Sequence, residues 1–167
     1  MNLDERNEKI EEYERGCDLL TTVLAEIPRQ AWNFKPAPDE WSVHEVVIHM
    51  ADSESMGATR ARKLIAEPGS ALMPYEDAIW ALELNYQNQN VEDALELFRL
   101  TRRTTYHVLK AAPESAFAHV VMPPGAVHPE YGEDYTLDKW LNIYTAHVLE
   151  HIQQLQNIFR AWQAKNK

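Results

Sequence analysis

The chain has 167 residues, an apolar fraction of 45% and a formal net charge of −10. This length predicts a single domain, residues 1–167, and the acidic balance argues against nucleic acid and anionic membranes as partners, because both bind basic patches. No stretch approaches the ~20 apolar residues of a membrane-spanning helix. The N-terminus is polar and unlike a signal peptide, so a cytoplasmic protein is expected.

Clusters of proline divide the chain into four long segments with helical periodicity. The first segment, from about Leu3 to Ile27, carries an apolar stripe. The second begins at a capping box formed by Ser42 and Glu45 and extends to about Ala66. A short helix is predicted between residues 75 and 84. The stripe of the first segment consists of Ile10, Tyr13, Cys17, Leu20, Leu24 and Ile27.

The second half of the sequence predicts two further long helices. One starts at an N-cap, Asn90, and ends near Ala112; the other starts at Thr136 and runs to the C-terminus. Four amphipathic helices without a strand pattern predict an all-α fold, a four-helix bundle with a long crossover between its second and third helices. The inner face of the third long helix is predicted to contain Leu95, Phe98, Thr101, Thr105, Val108 and Ala112.

Three histidines have the spacing of a metal site. His147 and His151 lie four residues apart on the last helix, about 40° apart around its axis, so both can reach one ion. His49 lies on the inner side of the second helix, and helical bundles build metal sites from facing helices. Three protein ligands leave a position open for water or substrate, as in catalytic sites. The alternative is three core histidines without a metal.

Two motifs of metalloproteases are excluded. His44 and His49 are five residues apart and therefore about 140° apart around the helix, whereas the zincin motif needs a spacing of four. The segment 147–151 formally matches the inverted H-x-x-E-H motif. No aspartate or glutamate follows His151 to supply the further carboxylate ligand, so the protease interpretation is dropped and Glu150 is expected at the surface.

Other side chains are weaker candidates for the site. Asp52 could accept a hydrogen bond from the free ring N–H of His49 or join the metal ligands; the alternative is a surface carboxylate. Gln154 could bond a metal-bound water or substrate, the alternative being a polar boundary residue. Tyr144, which flanks the histidine pair, is a further pocket candidate. Three cations at the end of the second helix are assigned mainly to its dipole and to solubility, with an anionic substrate as the alternative: Arg60, Arg62 and Lys63.

The stretch FKPAPDEWSVHEVVIH, residues 34–49, resembles the DinB/YfiT-like superfamily, in which a proline-rich approach precedes W-S-x-x-E-x-x-x-H. The family's second pattern, a last helix with H-x-x-x-H followed by glutamine, is matched by His147, His151 and Gln154. The resemblance implies a bundle of up-down-down-up topology and a metal site on His49 and the histidine pair. It also implies a homodimer.

The same resemblance implies one divalent ion, with zinc or nickel preferred and iron or manganese as alternatives. Members include transferases that use low-molecular-weight thiols, thiol-dependent isomerases and proteins named as metal-dependent hydrolases. The resulting hypothesis is a transferase whose metal-bound thiol attacks an electrophilic small molecule. The alternatives are a hydrolase that activates water at the same site and a non-catalytic, stress-related binding protein.

Overall fold

The computed structural model of the chain describes residues 1–120 and 135–166. The described part is helical, which confirms the all-α prediction, and its one β feature is an isolated bridge between Val120 and Thr136. None of its helices is both long enough and apolar enough to cross a bilayer. The helices are α1 (Leu3–Glu26), α2 (Val43–Ala66), α3 (Asp77–Glu83), α4 (Val91–Ala111) and α5 (Leu137–Lys165).

The long helices begin where their capping residues predict. The Ser42 hydroxyl accepts from the backbone N–H of Glu45, and the Glu45 carboxylate accepts from the backbone N–H of Ser42 at 2.8 Å. Asn90 caps α4 and Thr136 caps α5 through their side-chain oxygens. These bonds satisfy N–H groups that the first turn of a helix leaves without a partner. The local sequence therefore sets the start of each of these helices.

Two of the three consecutive pairs of long helices, α1 with α2 and α4 with α5, are not main packing neighbours in this bundle. Helix α1 packs principally on α4 and α5, and α2 also packs principally on α4 and α5. The diagonal pairs are therefore α1 with α2 and α4 with α5. This arrangement brings α2, which carries His49, beside α5, which carries His147 and His151.

Contacts at the bundle ends give the helix directions. Arg6 near the start of α1 pairs with Asp138 near the start of α5 at 2.7 Å, so these two helices run parallel. Glu92 at the start of α4 pairs with Arg29, which follows the end of α1, so α4 is antiparallel to α1.

The direction of α2 follows from its contacts with α5. His49 near the start of α2 lies beside His147 in the middle of α5. Gly57, two turns further along α2, accepts a hydrogen bond from the indole of Trp140 nearer the start of α5. The two helices are therefore antiparallel, and the bundle has the expected up-down-down-up topology.

Gly57, two turns after His49 on α2, allows α2 and α5 to approach each other closely. A Cβ atom at this position would overlap the ring of Tyr144. That ring stacks on Trp140, with 4.7 Å between the ring centroids. The ring of Trp140 in turn packs on the ring of Tyr13 of α1, with 5.3 Å between the ring centroids. This aromatic layer forms the buried support of the histidine cluster.

The inner face of α4 differs from the prediction. Phe98 and Thr105 are buried as expected, but Thr101, Val108 and Ala112 are only partly buried. Arg102 and Leu109 are buried in addition, each 1% exposed. The predicted face was therefore correct only in part, and it left out Arg102, for which the fold provides buried acceptors.

Candidate metal centre

Three histidine side chains converge between α2 and α5. The Nε2 atom of His147 lies 3.3 Å from Nε2 of His49 and 3.0 Å from Nε2 of His151. One ligand nitrogen from each residue lies within 4.8 Å of the others. The residues that the spacing singled out are therefore brought together by the bundle.

The nitrogen positions fit a divalent ion. Bonds of about 2.0–2.1 Å from zinc to imidazole place two tetrahedral ligands about 3.3–3.4 Å apart. The two nitrogen separations at His147 are close to this value. A proton on Nε2 of His147 can form a hydrogen bond to Nε2 of only one of the other two histidines. A metal ion, in contrast, can accept the lone pairs of all three nitrogens. Imidazole donors suit zinc, nickel and iron.

Burial keeps the cluster neutral. Desolvation, together with repulsion from the neighbouring histidines, lowers the pKa of His49 to about 3 and that of His147 to about 2. Desolvation also lowers the pKa of His151. Since a histidine binds a metal through a neutral ring, the site is ready to bind an ion at pH 7 without releasing protons from these rings.

Gln154 orients one of the three rings. Its Oε1 accepts a hydrogen bond from Nδ1–H of His151 at 2.7 Å. This bond places the proton on Nδ1 and leaves the lone pair of Nε2 directed at the cluster. The amide oxygen of Gln154 is thus used by the histidine, and a bond from its amide nitrogen to bound water or substrate stays a prediction.

His49 is held by packing. Its ring lies 4.7 Å from the ring of Trp41, and its Nδ1 is buried with no hydrogen-bond partner among the described residues. Asp52 does not supply one, because its carboxylate accepts from the hydroxyl of Tyr86 at 2.7 Å. The predicted bond between Asp52 and His49 is wrong for this reason.

Tyr144 and Arg60 form a wall next to the histidines. The Tyr144 ring lies 6.2 Å from that of His147, and its hydroxyl accepts from Arg60 at 3.3 Å. Burial raises the pKa of Tyr144 to about 12, so the phenol is neutral. The surface role predicted for Arg60 is wrong, since the residue is 6% exposed. Its position three turns after His49 on α2 is the signal that could have placed it on this face.

Three other predictions on polar residues have simple outcomes. Glu150 is exposed, as expected for a residue outside the site. His128, which the sequence predicts to be a solvent-exposed loop histidine with the mouth of a pocket as the alternative, lies outside the described residues. His44 bonds the backbone oxygen of Gln89 at 3.0 Å and takes no part in the cluster.

Replacing Gln154 by leucine is expected to weaken metal binding about 10–100-fold, the usual cost of losing a side chain that orients a ligand. Titration of the metal-free variant with zinc against a competing chelator measures the change. Gln153→Leu is the matched control, because Gln153 is exposed and bonds Asn157 instead. Equal affinities for the two variants would contradict an orienting role.

Acid is expected to destabilise the metal-free protein through these histidines. Their pKa values are lower in the folded chain than the ordinary 6.5, so the unfolded chain binds more protons as pH falls below about 6.5. Stability is then lost towards pH 3, by about 1 kcal/mol per pH unit for each histidine that stays neutral. Urea melts between pH 7 and 4 measure this slope, and His147→Leu/His151→Leu should flatten it. His107→Leu, which removes an exposed histidine, is the control. If the double variant has the same slope as this control, the acid sensitivity does not come from His147 and His151.

Comparison with known proteins places these features in a group of related chains. A sequence model of the DinB superfamily matches residues 12–155. A protein of Oceanobacillus iheyensis is 24% identical over 91% of this chain and 84% of its own length, and YfiT of Bacillus subtilis is 25% identical over 72% and 65%. Both are named "Putative metal-dependent hydrolase".

A solved structure has the same fold. It is that of YfiT from Bacillus subtilis, described as "a probable metal-dependent hydrolase with an unusual four-helix bundle topology". The two structures superpose with a TM-score of 0.85 over 98% of this chain and 90% of the other, at 20% sequence identity. At this level of identity, the likeness establishes the shared bundle topology.

Proposed function

The chain belongs to the DinB superfamily, and on that premise we propose that it is a metal-dependent enzyme whose ion is held by His49, His147 and His151. The observation that carries the proposal is the convergence of three neutral imidazole rings. Nε2 of His147 lies 3.0 Å from Nε2 of His151 and 3.3 Å from Nε2 of His49. Three ligands leave an open position, which is typical of catalytic metal sites. Zinc and nickel are the preferred ions, with iron and manganese as alternatives.

His49, His147 and His151 would hold a divalent ion, whose charge would lower the pKa of a thiol or water near it and so supply a nucleophile near neutral pH. The residues of the chain supply the rest. The three rings carry no charge, so they leave the positive charge of the ion undiminished. Gln154 fixes the ring of His151, and the packed aromatic side chains around His49 and His147 limit the access of bulk water.

The nucleophile of the reaction comes from outside the chain in this proposal. Cys17 is the sole cysteine of the sequence, and it does not belong to the cluster of ligand atoms formed by the three histidines. Burial also raises the pKa of its thiol, which makes it a poor nucleophile. We propose that a low-molecular-weight thiol supplies the nucleophile: the sulfur forms a C–S bond to an electrophilic small molecule, the bond from that carbon to a leaving group such as halide breaks, and the thiol proton passes to solvent.

Hydrolysis is the second candidate, and the names of the relatives favour it, since they describe metal-dependent hydrolases. The same three neutral ligands serve to activate water, as a three-histidine zinc site does in carbonic anhydrase. The two candidates differ in the nucleophile and not in the ligand set. The homodimer and the cytoplasmic location remain predictions, the former testable by sedimentation.

The test is an assay of the protein loaded with zinc or nickel. An electrophilic aryl halide is supplied with and without cysteine as the thiol, and an activated ester is supplied without thiol. Consumption of the halide that needs both metal and thiol, and that stops on chelation and returns with added metal, supports thiol transfer. His107→Leu should behave as the wild type, because this exposed histidine lies on α4.

Other results would change the conclusion. Ester hydrolysis without thiol would replace the first candidate by the second. A wild-type protein that retains no ion and refuses added zinc or nickel would overturn the enzyme proposal and leave a non-catalytic binding protein.

A further inference from the structure

We infer that the buried Glu54–Arg102 pair positions the metal ligands, because it connects α2 to α5 within two helical turns of the histidines. This inference rests on the proposed metal site and adds two residues that do not touch it. It is argued from the hydrogen bonds of one guanidinium group of α4 with the other three long helices.

Arg102 of α4 distributes its donors over three other helices. Its Nε donates to the backbone oxygen of Tyr13 on α1 at 2.6 Å. One terminal nitrogen donates to the carboxylate of Glu54 on α2 at 2.6 Å, and the other donates to the backbone oxygen of Tyr144 on α5 at 3.1 Å. A planar guanidinium has a rigid donor geometry. These bonds therefore fix the positions of the four helices relative to one another along their axes.

The surroundings of this pair are built to keep it in place. Both side chains of the ion pair are 1% exposed. The second oxygen of Glu54 accepts from the hydroxyl of Tyr13. At Gly16 of α1, an added Cβ would lie 2.8 Å from the guanidinium, so a larger residue there would displace Arg102.

The pair lies close to the histidines along both ligand-bearing helices. Glu54 follows His49 by five residues on α2, and Tyr144 precedes His147 by three residues on α5. At 1.5 Å per residue, these separations are about 8 Å and about 5 Å along the helix axes. A shift of either helix at the guanidinium is therefore transmitted to the nitrogen separations of the cluster.

Stability alone does not explain a buried ion pair in this position. Replacing such a pair by apolar side chains of similar volume is often neutral or stabilising, because the desolvation of both charges offsets their attraction. Apolar contacts, however, tolerate small sliding and rotation of helices. A metal site needs its ligands within about 0.5 Å of their working positions, which directional bonds to Arg102 provide.

The test is titration of metal-free protein with cobalt(II), followed by visible absorption. The apolar triple variant Tyr13→Phe/Glu54→Leu/Arg102→Met removes the network without stranding a buried polar group. We expect this variant to fold with a thermal midpoint near that of the metal-free wild type. Its cobalt affinity should fall about 10–100-fold, and its visible spectrum should change, because that spectrum reports coordination geometry and not stability.

A second double variant provides the control. Arg6→Met/Asp138→Leu removes an ion pair between α1 and α5 at the end of the bundle, and it should keep the wild-type affinity and spectrum. Wild-type cobalt binding in the triple variant would overturn the inference.

Two further outcomes are decided by other measurements. If the triple variant does not fold, Arg102→Lys replaces it, since lysine keeps the charge but cannot reproduce the forked bonds; unchanged cobalt affinity in that variant would also overturn the inference. A wild type that binds no cobalt, zinc or nickel would instead refute the proposed function.

Discussion

Replacing His49 by leucine is expected to abolish retention of a divalent ion and to leave the bundle folded. The wild type should keep about one ion per chain after dialysis, and the variant should keep none, because two imidazoles from one helix no longer complete a three-ligand site. The fold should survive because His49 is 3% exposed and its Nδ1 has no hydrogen-bond partner among the described residues. A leucine of similar volume removes this buried polar atom. Elemental analysis beside thermal melts measures both effects.

His44→Leu is the matched control, since it removes an imidazole from the same helix outside the cluster. This control should keep its ion and any metal-dependent turnover. Retention of the ion by the His49 variant at the wild-type level would exclude His49 as a ligand. Loss of the ion from both variants would point to a general disturbance of α2.

Replacing Arg102 alone by methionine is expected to cause the largest loss of stability of any substitution considered. The carboxylate of Glu54, 1% exposed, would then be buried without its cation, which typically costs about 3–5 kcal/mol. For a chain of this size, that loss lowers the thermal midpoint by about 6–20 °C. The measurement uses metal-free protein, so that altered metal binding does not contribute.

The partner substitution gives the decisive comparison. Adding Glu54→Leu and Tyr13→Phe to Arg102→Met should restore most of the lost stability, because the buried charge is gone. Arg103→Met tests the neighbouring exposed arginine and should change stability by less than about 0.5 kcal/mol. A free energy of unfolding within 1 kcal/mol of the wild type in the single variant would mean that Glu54 finds another partner or a proton.

Helix boundaries and the histidine cluster could be predicted because both depend on short-range sequence. Ser42, Asn90 and Thr136 cap their helices through bonds to residues two or three positions ahead. The spacing of His147 and His151 alone puts both on one face of α5. The pairing of that face with His49 followed from the requirement that a bundle site use facing helices.

The polar partners could not be predicted, since they depend on contacts between distant segments. Asp52 and Tyr86 are brought together by the turn that precedes α4. Arg102 finds its acceptors on helices 42 to 89 positions away, and no local pattern separates it from the exposed Arg103. A search for apolar residues at helical spacing passes over arginine, which is why the predicted face of α4 contained Phe98 and Thr105 but not Arg102.

The helix order also governs when the ligands can meet during folding. His49 and His147 are 98 positions apart, and α4 lies between their helices in the chain. Contacts of such long sequence separation form slowly, after the intervening chain has been ordered. An ion at the proposed site would then be captured only once α5 has docked, so it would act on a bundle that has already assembled. Bound metal should consequently slow unfolding rather than accelerate folding, and the lifetime of the folded chain would depend on metal supply.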